Sequence, residues 1–435
     1  MKIKTENKNS KLTQNGKGMK NLYEKVMGDP LYRNSIYLMI SSGVMAAFGF
    51  FFWMICARLF SVENIGLATT IISVMSLIAG FSVLGLNTGL IRYLPNSKDR
   101  NKKINTTFTI VALTAVIVSC IFLIGIGKFS PRLLFIKENI ILSFAFIFFM
   151  VLQSLNSMIE NVFLAFRSAK FVLVKNTIFS ILKLVMPFIF IAFGAFGIFS
   201  AYMSALLIGF GTVFLILIFK FHYKPRLIFY DSVIMKMGRY SFGNYVAGFI
   251  YGLPLMLLPL MITNMLHPET TAYYYMAMQI ANLLFVIPNA TTNSLFAEGS
   301  HNERGLKKNV FKSIWIIAIL LIPAILLTLL FGKYILLAFG QEYSTQGFRF
   351  LEIMAFSGIF VSVNAIFASV FKVKRRINEI IVRNIIGTIV ILGLAYLFIN
   401  KGIGLIGIAY AYIAGQIITA IAYWTMYKSK NKKKK

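Results

Sequence analysis

Long apolar runs, separated by short polar and basic stretches, organise this chain from Asn34 to Tyr427. A membrane-crossing helix needs roughly 20 apolar residues, since each residue rises about 1.5 Å through a hydrocarbon layer ~30 Å thick. On that scale the pattern predicts about twelve transmembrane helices: 36–59, 65–91, 106–127, 139–165, 171–194, 197–219, 240–263, 270–297, 309–332, 345–371, 377–400 and 403–427. The connections are short. The longest, His222 to Arg239, has room for an amphipathic segment but not for a domain. The fold class is therefore an all-α polytopic membrane protein.

Composition closes the soluble alternative. Of 435 residues, 58% are hydrophobic, 42 are Phe and only 13% are charged. A water-soluble fold must cover itself with largely polar surface. The net charge of +30 sits in clusters between the apolar runs, so nucleic acid is not an expected partner. With the N-terminus inside, 36 of the 44 Lys and Arg fall in the tails and inner loops, counting residues just within adjoining helix ends, and seven in the outer loops. Positive charge marks the cytoplasmic side. The expected placement is multi-pass in the cell membrane with both termini cytoplasmic. The basic head is longer than the charged region of a signal peptide, and Ile36 to Phe60 is longer than its apolar core, so the first helix is expected to be retained. Cys56 and Cys120 lie within apolar runs without metal-ligand spacing and read as packing residues.

The chain also repeats itself. Glu63, in Arg-Leu-Phe-Ser-Val-Glu-Asn-Ile-Gly, is matched 206 residues later by Glu269. Phe163, Arg167, Lys175 and Asn176 recur 208 residues on as Phe371, Arg375, Arg383 and Asn384, and Gly197, Ala201 and Tyr202 recur as Gly407, Ala411 and Tyr412. Six helices per half, each half starting inside, predict two parallel six-helix bundles with a central cleft, the architecture of alternating access. The expected divisions are a basic tail (1–33), an N-terminal bundle (34–221), a cytoplasmic linker (222–239), a C-terminal bundle (240–427) and a poly-Lys tail (428–435).

Catalytic signatures are missing from the sequence: there is no Walker A, His-Glu-x-x-His or Gly-x-Ser-x-Gly motif, and His222, His267 and His301 lie in separate loops. No catalytic residue, metal site or cofactor is expected. Gly402-Ile-Gly404-Leu-Ile-Gly407 matches a dinucleotide fingerprint, but it joins two apolar helices and reads as a tight connection. Gly85 and Gly89 read as a close-packing pair.

Intramembrane charges carry the functional information, because a charge at a helix centre costs about 2.5–3.5 kcal/mol unless it has a partner or a wet cavity. Lys183 lies about 12 residues into its helix, roughly 18 Å from the inner end. Glu160 and Lys175 lie at similar depths and are placed to pair, which leaves Lys183 without an obvious carboxylate. It is the leading candidate for a cavity residue, the alternative being a structural role. Arg58 and Arg92 sit at helix ends, as interfacial anchors or cleft cations. Arg349 and Glu352 are three residues apart and placed to satisfy each other. The eighth helix carries Tyr274, Gln279 and Asn282, whose hydroxyl and amides suit either sugar hydroxyls or helix packing.

Four segments carry a resemblance: Arg58 to Gly66; Gly85-Leu-Asn-Thr-Gly-Leu-Ile-Arg92-Tyr; Ala272 to Gln279, running on to Ile287-Pro288 and Leu295-Phe296; and Phe331-Gly332 through Phe339-Gly340-Gln-Glu-Tyr343 to Leu351. In order and spacing the chain resembles the polysaccharide transporter branch of the multidrug/oligosaccharidyl-lipid/polysaccharide exporter superfamily. The resemblance implies an O-antigen or teichoic acid-type flippase. Its substrate would be a polyprenyl-diphosphate-linked oligosaccharide, moved from the inner to the outer leaflet, with a glycan polymerase of the same pathway as a partner and a proton or sodium ion as a coupling ion. Two departures stand out. Lipid II flippases of the superfamily usually have fourteen helices. The drug-extruding branch often uses a membrane aspartate, whereas Asp29, Asp99 and Asp231 fall outside the spans. An ion-coupled multidrug antiporter of the same fold remains the alternative, with Glu160 or Glu352 as coupling carboxylates. A membrane-embedded glycan polymerase is a more distant one, because its donor needs a larger loop than any here.

Overall fold

The computed structural model describes residues 30–95, 97–301 and 305–432, without the side chains of 30–31, 231–244, 301 and 429–432. The expected basic head therefore lies outside the described residues, as does most of the poly-Lys tail. Among the described residues every regular element is helical: α1 (Pro30–Leu59), α2 (Val62–Val83), α3 (Leu86–Tyr93), α4 (Arg100–Phe129), α5 (Phe135–Glu138), α6 (Ile140–Ala165), α7 (Ala169–Ile189), α8 (Gly194–Phe221), α9 (Asp231–Met265), α10 (Pro268–His301), α11 (Leu306–Leu337), α12 (Gln341–Val373), α13 (Ile377–Asn400) and α14 (Gly404–Lys432).

Eleven of these helices are long and apolar enough to cross a membrane. The twelfth expected span, α10, is 34 residues long but falls short in apolarity, because its tyrosines and amides dilute the run. The second expected span, 65–91, is broken. Leu84 and Gly85 both take left-handed backbone (φ 49 and 76), so α2 ends there and the short α3 follows. Gly85 is thus a turn residue, in a conformation that glycine adopts without steric cost. The seventh expected span also starts earlier than read, because α9 already begins at Asp231.

The remaining linker is tied down. The Tyr223 hydroxyl donates to Asn105 Oδ1 (2.5 Å), whose Nδ2 donates to the Lys224 carbonyl (2.8 Å). Burial pushes the Tyr223 phenol well above its ordinary pKa, so this anchor keeps its proton over the whole physiological range.

The internal repeat is visible in backbone geometry. Arg167 and Arg375 both take left-handed backbone, at φ 52 and 55. Behind each, the next residue's N–H reaches back to the equivalent phenylalanine carbonyl: Ser168 to Phe163 (2.9 Å) and Arg376 to Phe371 (2.8 Å). Two L-residues in a disfavoured conformation at matching positions mean the same helix-ending turn was used twice. Asn176 then donates to Ser41 on α1, and Asn384 to the Ala247 carbonyl on α9, the helix that starts the second half.

α1, α2, α4, α6, α7 and α8 pack among themselves, as do α9 to α14, and the seam between the two sets runs along α2, which meets α9 and α10. Toward the end that carries Pro30 and Lys432, the Tyr245 hydroxyl donates across the seam to the Gly80 carbonyl (2.6 Å), and the seam is also tight at the remote end. There the Thr70 and Thr263 hydroxyls are 2.5 Å apart, Asn264 Nδ2 donates to the Phe129 carbonyl (2.9 Å), and Trp53 meets Tyr275 edge to face at 4.9 Å. A Cβ on Gly66 would overlap the backbone of Pro268. Gly66→Val should therefore hold the halves apart. Overpacking of 1–3 kcal/mol corresponds to roughly a tenfold loss of the closed state, read as weaker crosslinking of a Thr70→Cys/Thr263→Cys pair with insertion unchanged.

Candidate functional site

One face of α10 defines the central cleft. Tyr275, Gln279, Asn282, Val286, Asn289 and Asn293 follow one another at alternating four- and three-residue steps, so they lie along one stripe. Tyr275 is capped by Trp53 of α1; Gln279 and Asn282 are half-buried; Val286, Asn289 and Asn293 are exposed. The exposed members are the three farthest from Tyr275. Burial along the stripe is thus greater near Tyr275, its apex, than toward the end that carries the termini.

Lys183 sits at the level of the apex. Its Nζ lies 5.0 Å from the Phe179 ring centre and 5.9 Å from that of Phe52, and it is 3.8 Å from where a Cβ on Gly49 would stand. Gly49 is one turn inward of Trp53 on α1, and Gln279 one turn inward of Tyr275 on the opposing α10. The register therefore places the Lys183 ammonium near the depth of the Gln279 amide, with Asn282 about 4.5 Å further toward the end that carries the termini. Lys183 is only 3% exposed, and among the described residues it makes no hydrogen bond or ion pair. Two aromatic faces supply part of its stabilisation, about 2 kcal/mol where water is excluded. Glycine at position 49 leaves the space over the ammonium unfilled.

The expected Glu160–Lys175 pair is present. Lys175 is almost fully buried in α7, bonded to Glu160 and to Asn156 Oδ1 (2.6 Å). Glu352 accepts from Arg349 Nη1 at 3.0 Å. Both candidate coupling carboxylates are thus already engaged by a cation.

The other nominated residues are not gathered at the apex. Arg58 Nη2 points to the Ala338 carbonyl (3.4 Å) at the sealed end. Arg92 is exposed in the last turn of α3, over the Tyr93 ring at 5.7 Å. Tyr274 is 3% exposed and packs on Phe350 at 5.3 Å, inside the C-terminal bundle. Its neighbour Tyr275 takes the cleft-facing position, because a helix turns about 100° per residue.

Sequence reasoning passed over a second polar space. A cavity of about 540 Å³ lies between α9, α10, α12, α13 and α14, lined by Tyr251, Asn293, Asn364, Ala368, Arg383 and Tyr423 among others. Arg383 was legible only as the repeat mate of Lys175. It lies near the start of α13, yet it is 5% exposed.

The arrangement has clear relatives. Twelve long helices in two repeat-related bundles around a cleft form the fold of the MOP-superfamily transporters. An inward-facing multidrug resistance MATE family transporter of that superfamily superposes with a TM-score of 0.71, at 15% identity over 91% of this chain and 98% of that one. The lipid II flippase MurJ, in an inward closed conformation, gives 0.74 at 14% identity over 90% and 87%. A MOP-superfamily transporter from Pyrococcus furiosus, described as having a binding pocket of reverse polarity, gives 0.64 at 16% identity over 94% and 97%. An outward-facing MATE structure gives 0.63 at 18% identity over 94% and 97%. No curated protein sequence matches significantly. The family model for polysaccharide biosynthesis proteins matches residues 55–346, more than half of the chain. The chain belongs to that family.

Proposed function

We propose that the protein flips a polyprenyl-diphosphate-linked oligosaccharide from the inner to the outer leaflet by alternating access, for assembly of a cell-surface polysaccharide. The observation that carries this reading is the cleft apex: a buried cation without a carboxylate, near the depth of Gln279 and about one helix turn from that of Asn282, two half-buried amides that make no side-chain hydrogen bond among the described residues. Membership in a polysaccharide biosynthesis family and a fold shared with a lipid II flippase support it. A glycan cannot enter hydrocarbon bare, since each unsatisfied polar group costs several kcal/mol. Amides replace the lost water bonds, and an ammonium attracts the diphosphate. The lipid tail stays in the bilayer while the two halves, proposed as 34–221 and 240–427, rock about the α2 seam. Both termini are proposed to be cytoplasmic, which puts the more exposed end of the cleft on the side where the substrate is made.

Multidrug antiport is the competing activity of this fold. It is disfavoured by a cleft whose buried charge is positive, because a cationic drug would be repelled. Deleting the gene should leave lipid-linked oligosaccharide in the inner leaflet and strip surface polymer, with drug sensitivity little changed. Drug hypersensitivity with normal surface polymer would reverse the choice.

A further inference from the structure

The two halves handle the same buried cation differently. In the N-terminal half Lys175 is neutralised by Glu160 and held by Asn156. Moving 208 residues on, Lys175 becomes Arg383 and Asn156 becomes Asn364, but Glu160 becomes Ala368. The repeat keeps the cation and the amide and deletes the carboxylate.

Arg383 is left with neutral neighbours. Nη1 donates to Asn384 Oδ1 (2.8 Å) and Nη2 to Thr419 Oγ1 (3.3 Å), and the guanidinium lies 5.1 Å from the Tyr423 ring centre. Among the described residues no carboxylate pairs with it. Three buried polar atoms of residues lining the cavity have no partner: Arg383 Nε, the Tyr423 hydroxyl and Asn364 Oδ1. Orphaned polar atoms of this kind are rare in folded proteins and costly in membranes. The first two donate and the third accepts. A bare anion answers the donors alone, whereas a ligand that joins an oxyanion to hydroxyl groups answers all three.

We propose that this cavity binds an acidic sugar, its carboxylate or phosphate on Arg383 in the space vacated by the missing glutamate and a hydroxyl on Asn364. A volume of about 540 Å³ admits a sugar residue, and the exposed Lys372 lines the same cavity. Asn289 and Asn293 belong both to the cavity wall and to the α10 stripe, so the site opens from the central cleft. The assignment rests on the glycan-transport reading for where the sugar comes from. Binding itself is measured on purified protein without transport, so the two fail separately.

The test uses full-length protein in nanodiscs, with saturation-transfer NMR of glucuronate and of glucose, and inorganic phosphate as competitor. Glucuronate should give signal and glucose none, and phosphate should compete only at much higher concentration. Arg383→Gln should weaken glucuronate binding at least about tenfold, the loss of one charge-assisted contact. Ala368→Glu rebuilds the ion pair of the other half. It should abolish binding while raising the thermal midpoint, a combination that misfolding cannot imitate. Equal signals from glucose and glucuronate, or full binding by either variant, would overturn the site. Displacement by phosphate at equal concentration would make it a free-anion site and overturn the sugar.

Discussion

Lys183→Ala should reach the membrane at normal abundance and yet lose roughly 10- to 100-fold in flipping rate, the equivalent of a 1.5–3 kcal/mol charge-assisted contact. Insertion should not suffer, because removing the ammonium relieves a cost that two phenylalanine rings only partly offset. Lys183→Arg should keep partial activity: charge survives, but a broad planar guanidinium must fit where Gly49 made room for a compact ammonium. Lys183→Glu should be the poorest of the three, since it repels the diphosphate. A purely structural lysine gives another order, with abundance falling in step with activity in the alanine variant. Membrane abundance measured beside surface polymer separates the two, and full activity at normal abundance in Lys183→Ala would end the cavity role.

The largest stability effect is expected at Glu160. Its removal leaves the almost fully buried Lys175 with only Asn156 as a partner. Breaking a buried ion pair from one side costs 3–5 kcal/mol, and about 3 kcal/mol is expected here because Glu160 itself is one-third exposed. Glu160→Ala should therefore lower the thermal midpoint and steady-state level sharply. Combining it with Lys175→Met, which removes the stranded charge, should recover most of the loss. If Glu160 were instead a coupling carboxylate, Glu160→Gln would abolish transport at normal stability.

Much of this was legible because membranes impose simple rules. Span length, loop charge and the repeat follow from periodicities that survive in one sequence, and so did the Glu160–Lys175 pair, whose members lie near one helix turn. What escaped depended on backbone dihedrals or on which way a side chain faces. The break at Leu84–Gly85 falls within an unbroken apolar run, so hydropathy carries no trace of it. Tyr274 and Tyr275 are chemically equal in sequence, and only helix phase sends one into the bundle and the other into the cleft. Arg383 was hidden by its place near the start of a helix, where a basic residue is common and calls for no cavity. The repeat held the missing clue, because a position equivalent to a buried lysine is itself buried.

The central claim is that a lipid-linked glycan crosses through this protein's cleft. Purified protein reconstituted into vesicles, with a polyprenyl-diphosphate oligosaccharide in one leaflet, tests it most directly. The account predicts protein-dependent arrival of the glycan at the other leaflet, reduced by Lys183→Ala and by Gly66→Val. Vesicles that move cationic dyes but leave the lipid-linked sugar where it started would contradict it.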